Sequence, residues 1–134
     1  MRVEYSFLCD YAQDHAGKLT AIGIGIDQMA VGALPWTHPL MYLVAQVKYS
    51  AAEAGAKTLA VRIVDADGAN VVPPIDGEIE FASPSGTPQG AIKLVLQFNN
   101  VVFNRLGDYE VQLALGGQEI AALPIAVQAA GATA

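Results

Sequence analysis

Apolar and polar residues alternate one by one through long stretches of this sequence. Two runs show the alternation most clearly: Ile92, Leu94, Leu96 and Phe98, and then Tyr109, Val111, Leu113 and Leu115. Successive side chains of a β-strand point to opposite faces of its sheet, so a period of two predicts strands with one buried face. No long stretch has the helical period, and we therefore expect an all-β fold.

Turn-forming residues separate the alternating runs. The clearest turn signals are Asp67-Gly68, Pro73-Pro74 and Gly116-Gly117, and the last suits a two-residue turn between two strands. About eight short strands joined by such turns favour an antiparallel β-sandwich with Greek-key connections. A jelly-roll and an immunoglobulin-like strand order both stay open. We predict a single domain at residues 1–128 and a flexible C-terminal tail at residues 129–134.

The first 29 residues predict a β-hairpin with arms at roughly residues 3–12 and 18–29. Each arm has one apolar row, and these rows are expected to share a buried face: Val3, Tyr5, Phe7, Cys9 and Tyr11 on the first arm, and Ile22, Ile24 and Ile26 on the second. The opposite face of the second arm is then nearly bare, because it carries Gly23 and Gly25. Glycine within a strand often marks a close backbone approach.

This bare face is a candidate contact surface. Gly23 and Gly25 would let a second subunit, a partner protein or a ligand dock on it. The alternative is that the loop at residues 35–39, which contains Trp36, covers the face. Trp36 is itself a candidate contact residue, since tryptophan is enriched in binding hot spots, although such a residue more often folds back onto the core.

The charges of the chain argue against two classes of partner. It has 13 acidic and 7 basic residues and a formal net charge of −6. Phosphate-rich nucleic acids and anionic membranes bind clustered Lys and Arg, so neither is an expected partner. Only 15% of the residues are charged, which favours an oligomer that covers part of the outer surface. A surface of Ala, Gly, Ser and Gln is the alternative.

The single cysteine, Cys9, rules out an internal disulfide. It lies in an apolar row, where we expect inert packing rather than reactivity. Neither a signal peptide nor an apolar run of about 18 residues is recognisable. We therefore predict a cytoplasmic protein.

Asp65-Ala66-Asp67-Gly68 is the only segment that suggests a metal. Calcium prefers about six to eight oxygen ligands, so Asp65 and Asp67 would need help, and the nearest acids in sequence are Asp76 and Glu78. The alternative is an ordinary hairpin turn in which Gly68 adopts a positive φ. Asp65 and Asp67 are thus weak metal candidates, and no metal site is predicted.

No catalytic constellation is visible. His15 and His38 lie in predicted loops without the spacing of zinc ligands, and there is no Gly-x-Ser-x-Gly nucleophile motif. We predict no catalytic or cofactor-binding residues, no cofactor, and a protein that is not an enzyme.

Gly107-Asp108-Tyr109 is similar to the entry of a late strand in many immunoglobulin-like sandwiches. In those domains a tyrosine hydroxyl bonds to the backbone and closes a corner. We expect this structural role for Tyr109, with a plain core tyrosine as the alternative.

The opening MRVEYSFLCDYA, followed by GKLTAIGIGID, resembles the start of an uncharacterised bacterial family of small proteins. The later segments HPLMYLVAQV, VDADG and LGDYEVQL, leading to LPIAV, fit the same resemblance. The resemblance implies a β-sandwich and no assigned activity, cofactor or partner, so no functional residue carries over.

The preferred hypothesis is a non-enzymatic interaction module that works by protein–protein contact and is homo-oligomeric. One alternative is a sandwich that binds calcium or a small ligand at the loop of Asp65 and Asp67. The other is an enzyme whose site is built between loops.

Overall fold

Ten β-strands make up the fold of residues 1–131, the part of the chain that the computed structural model describes. They are β1 (Arg2–Cys9), β2 (Tyr11–His15), β3 (Lys18–Ile22), β4 (Gln28–Val31), β5 (Trp36–Ser50), β6 (Gly55–Asp65), β7 (Ile75–Phe81), β8 (Gln89–Phe103), β9 (Gly107–Leu115) and β10 (Gln118–Ala129). This range has no α-helix, only a 3₁₀ turn at Ala51–Glu53. The all-β prediction is confirmed. The strand count exceeds eight because the N-terminal region forms four strands instead of two.

The strands form three sheets. One sheet has the order β1-β5-β8, a second has the order β4-β10-β9-β6-β7, and β2 and β3 form a two-stranded hairpin. Neighbouring strands are antiparallel except for β4, which runs parallel to β10. Strand β10 extends through Ala129, and Ala130 N–H donates to the carbonyl of Val31 at 2.7 Å. The rest of the predicted tail, residues 132–134, lies outside the described residues.

One apolar core receives side chains from both larger sheets. Its buried members include Met41, Leu43, Leu94 and Phe98 from the first sheet and Val61, Ile63, Val111 and Leu113 from the second. The alternating rows are thus correctly assigned to the core. All four members of the β9 row are buried, whereas Ile92 and Leu96 of the β8 row are half-buried.

In β5 and β8 the side chains that point to the core switch from one parity to the other, and they do so at neighbouring positions of the two strands. Phe98 and Val101 are both core residues although three positions separate them, which breaks the period of two. Between them Asn100 adopts a φ of +54°, a conformation that asparagine tolerates better than most residues. Opposite this point the register has no pair for Pro39. Beyond it, Trp36 turns towards the core.

The hairpin predicted for the first 29 residues is wrong. Strand β1 pairs with β5, for example Leu8 with Leu43, and the observed hairpin joins β2 to β3. Residues 23–27 form no strand, and Ile22 and Ile24 are 61% and 60% exposed. Gly23 and Gly25 have positive φ angles, which a continuous strand does not allow.

A β-bulge at Glu4 divides the side chains of β1 between two clusters. Val3 lies opposite Val47 but Tyr5 lies opposite Gln46, so the register shifts by one residue. Leu8 therefore faces the main core. Tyr5, Phe7 and Cys9 face a second cluster beneath the β2–β3 hairpin: Cys9, Ala12, Tyr42 and Val44, with Leu19 and Ala21 packed against them. The first sheet thus buries parts of both faces.

Cys9 is fully buried in this second cluster. Burial raises the pKa of its thiol, which outweighs the lowering effect of its contact with the carbonyl of Tyr11. A thiol with a raised pKa holds little thiolate, so Cys9 serves packing, as the sequence predicted.

The last two strands meet as the sequence predicted. Gly116 and Gly117, with φ of +59° and +80°, join β9 to β10. Pro124 lies in the part of β10 that has only β9 as a neighbour, because β4 begins to pair at Ala126. A proline at an edge costs no ladder hydrogen bond.

Tyr109 closes the corner between β8 and β9. Its hydroxyl donates to the carbonyl of Arg105 at 2.7 Å, and the residue is 6% exposed. The expected tyrosine corner is therefore present.

Tyr109→Phe should lower the free energy of unfolding by about 1 kcal/mol, because it removes the hydrogen bond from the buried tyrosine to the backbone of the corner. Urea denaturation measures this change. The control is Tyr11→Phe, because the Tyr11 hydroxyl bonds to Gln13 at an exposed site. Removing this hydroxyl should leave the free energy of unfolding nearly unchanged. Equal losses in the two variants would contradict a structural role for the corner.

Candidate functional site

Of the three predicted contact residues, Trp36 lines a shallow cavity, which we call the Trp36 cavity. Its volume is about 270 Å³, and its lining residues are Asp10, Ile26, Gln28, Met29, Ala30, Trp36 and His38. Gly25 precedes the lining residue Ile26, and Gly23 lies against the carboxylate of Asp10.

The segment of residues 23–27, which we call the strap, connects β3 to β4 and is held against the end of β1. The N–H groups of Gly25 and Ile26 both donate to the carbonyl of Leu8, at 2.8 and 3.1 Å. Any side chain at Gly23 would collide with Asp10. The close approach expected at these glycines therefore exists, but within the chain itself. Their role in a contact with another molecule stays a prediction.

Trp36 begins β5 and packs half-buried against the core, opposite Phe103. Trp36 thus folds back onto the core, which is the alternative that the sequence left open for this residue. Its ring N–H is shielded from solvent and has no hydrogen-bond partner among the described residues, and the same holds for Nε2 of His38. The prediction that both histidines lie in loops is wrong, because His38 lies within β5 and His15 ends β2.

The chemistry of the Trp36 cavity is limited. Its floor is apolar, with Ile26 and Met29, and its polar groups include one carboxylate and one imidazole. No serine, threonine or cysteine lines it. Such a lining can hold a small apolar group, and it offers no hydroxyl or thiol nucleophile.

The predicted metal candidates form a second polar site, which we call the Arg105 corner. The carboxylate of Asp65 accepts bonds from the N–H groups of Asp67 and Ala69, both at 2.9 Å. The guanidinium of Arg105 donates to Asp65 Oδ2 at 2.9 Å and to Asp67 Oδ2 at 3.0 Å. The Ala69 N–H first, and then Asp67 N–H and Arg105, hold the pKa of Asp65 below its ordinary value.

The Arg105 corner has the features of a turn and not those of a calcium loop. Gly68, with a φ of +81°, donates its N–H to the carbonyl of Asp65 at 3.0 Å. Asp76 and Glu78 do not join the corner, since they pair along β6 with Ala60 and Thr58. Residues 1–131 contain no group of three or more His, Cys, Asp or Glu side chains placed to hold a metal ion.

Arg105 is the residue of this corner that the sequence did not predict. It lies 38 residues from Asp67 along the chain, and nothing in its local pattern indicates an acidic partner. Only the pairing of β6 with β9, which aligns Asp65 with Tyr109, brings the corner together.

Fold and sites together define an all-β protein with two larger sheets around a shared core and a tyrosine corner. The chain belongs to the family of unknown function DUF6941, whose model matches residues 4–128. The resemblance to an uncharacterised family is thereby confirmed. A search of the curated proteins found no match. Within residues 1–131, no helix has the length and apolar character to span a membrane.

Asp65→Asn should weaken the protein at neutral pH but not in acid. A carboxyl group whose pKa is lowered by folding stabilises the folded state above its unfolded pKa of about 4, and this contribution is lost as the pH falls through the lower folded pKa. Unfolding curves from pH 7 down through the acid range measure the difference in the free energy of unfolding between the variant and wild type. It should shrink below about pH 4.

The control is Asp76→Asn, which makes the same charge change at an exposed position of β7. A difference between Asp65→Asn and wild type that stays constant with pH would contradict the ion pair at the Arg105 corner.

Proposed function

We propose that this protein is a non-enzymatic module that acts by protein–protein contact and associates with a second copy of itself. We further propose that its two larger sheets pack face to face as a β-sandwich, which the shared core supports. Immunoglobulin-like and jelly-roll connections both stay open. A cytoplasmic location stays a prediction, and the single buried cysteine is in keeping with it.

The exposure of large apolar side chains carries the proposal. Six of them are between 37% and 61% exposed: Tyr11, Ile22, Ile24, Leu34, Val102 and Leu106. Isoleucine at 60% exposure leaves most of its apolar area in water, which is unfavourable. Exposed apolar residues that lie together suit a surface that a partner covers, and Ile22 and Ile24 stand two positions apart where β3 meets the strap.

The charge of the chain limits where two copies can meet. Each copy carries a formal net charge of −6, so approach between copies is repulsive at the acidic parts of the surface. Self-association therefore favours a surface without acidic side chains. With only 15% charged residues, the chain has such surface available.

The calcium-binding alternative has less support. Arg105 already pairs with the outer oxygens of Asp65 and Asp67, and a calcium ion would have to displace it. We expect calorimetry with calcium chloride to show no binding heat and the melting temperature to stay unchanged. Saturable heat that disappears in Asp65→Asn would establish the alternative instead.

Sedimentation equilibrium tests self-association directly. We expect the mass to rise from 14.0 kDa, the mass of one chain, towards twice that value as the protein concentration reaches the high micromolar range. Reversible association is expected to become weaker at low protein concentration by mass action. A strict monomer throughout this range would contradict the proposal.

A further inference from the structure

We infer that the second copy binds along the free edge of β8, antiparallel to it, so that the two β1-β5-β8 sheets join into one continuous sheet. This inference rests on the self-association proposed above. It adds the surface, the orientation and the register of the contact. Edge-to-edge pairing of this kind uses backbone hydrogen bonds that an edge strand leaves open.

Four strands lie at the edges of the two larger sheets: β1, β8, β4 and β7. Strand β7 presents Asp76, Glu78 and Glu80 within seven residues, and two such edges would repel each other. Strand β4 has only four residues, which offers few hydrogen bonds. Neither edge suits a second copy of an acidic chain.

The edge of β1 is interrupted by a bulge and already accepts hydrogen bonds from within the chain. A bulge at Glu4 interrupts its register, and bulges are a common protection of sheet edges. Near its other end, the carbonyl of Leu8 already accepts the N–H groups of Gly25 and Ile26 from the strap. A partner strand would have to displace the strap.

The edge of β8 has none of these protections over most of its length. The strand has 15 residues and no acidic side chain, and at about 3.3 Å per residue it is on the order of 50 Å long. Its inner side pairs with β5 from Gln89 to Phe103. In residues 1–131 no other strand pairs with it, so the alternate N–H and C=O groups face outwards without a backbone partner.

The one charged side chain of β8 is Lys93, whose Nζ donates to the carbonyl of Gly17, in the turn of the β2–β3 hairpin. Like charges that lie directly opposite each other on paired strands are destabilising. A symmetric contact through β8 therefore has to keep the two copies of Lys93 apart.

A two-fold axis at Lys93 would place the two lysines opposite each other, so the contact needs another register. We place the axis at Val95, which then lies opposite its own copy and sets Lys93 opposite Gln97. The positions on the core face then match as well, Leu94 with Leu96. Asn100, with its φ of +54°, ends the regular stretch. Such a contact is closed, because each copy uses the same surface.

Substitutions at Gln97 test this register. Gln97 is exposed, so the fold should tolerate either charge. Gln97→Lys puts lysine opposite Lys93 twice per dimer, and Gln97→Glu puts glutamate there twice. Cross-strand charge pairs are worth roughly 0.2–1 kcal/mol each, so the dimer Kd should rise about 2- to 30-fold in Gln97→Lys and fall by a similar factor in Gln97→Glu.

The matched controls are Thr58→Lys and Thr58→Glu, at an exposed position of β6, an inner strand of the other sheet. They change the net charge by the same amounts. Net charge alone predicts the opposite signs, because added lysine reduces the repulsion between two acidic chains and added glutamate increases it. Sedimentation equilibrium gives Kd for all five proteins, and circular dichroism checks their folds.

The results separate the inference from the proposed function. Opposite signs at Gln97 and Thr58 support pairing through β8. Gln97 variants that follow net charge, as the Thr58 variants do, overturn the β8 contact while self-association stands. A monomeric wild-type protein overturns both.

Discussion

Strand β5 holds the structure together through both its edges and both its faces. It pairs with β1 between Tyr42 and Lys48 on one side and with β8 between Trp36 and Ser50 on the other. One face supplies Met41, Leu43 and Val47 to the main core. The other supplies Tyr42 and Val44 to the cluster beneath the β2–β3 hairpin. A strand buried on both faces excludes water from its ladder, which strengthens each hydrogen bond in it.

The dependence on β5 explains how far the sequence could predict the fold. The rows of β8 and β9, the glycine turn at residues 116–117 and the tyrosine corner rest on local patterns, and local patterns were sufficient for them. The partner of β1 was not predictable in this way. The alternating isoleucines at residues 22–26 favour a strand, but Gly23 and Gly25 take positive φ angles, and β5 offers β1 a longer apolar partner.

The candidate sites show the same limit. The sequence suggested that the loop of Trp36 could lie near Gly23 and Gly25. In the structure the strap, whose N–H groups bond to Leu8, lies beside a cavity that Trp36 lines. The pairing of Arg105 with Asp65 and Asp67 depends on long-range strand register, which no local pattern encodes. The acids Asp76 and Glu78 are close to Asp67 in sequence, yet the antiparallel turn after β6 carries them away from it.

The distribution of charge links the fold to the proposed contact. Acidic side chains concentrate on β7, where Asp76, Glu78 and Glu80 protect one sheet edge. The bulge and the strap protect β1. Only β8 combines length, an apolar character and an open edge. Under the proposed self-association, pairing with a second copy would give the open backbone groups of this edge their hydrogen-bond partners.

Hydrogen exchange along β8, followed as a function of protein concentration, tests this account most directly. The amides of residues 92–98 that face β5 should exchange slowly at every concentration. The alternate amides, which face the open edge, should exchange fast in dilute solution and slow down as dimer forms, because pairing gives them acceptors. Exchange in this segment that is independent of concentration, in a sample whose mass shows a dimer, would contradict the account.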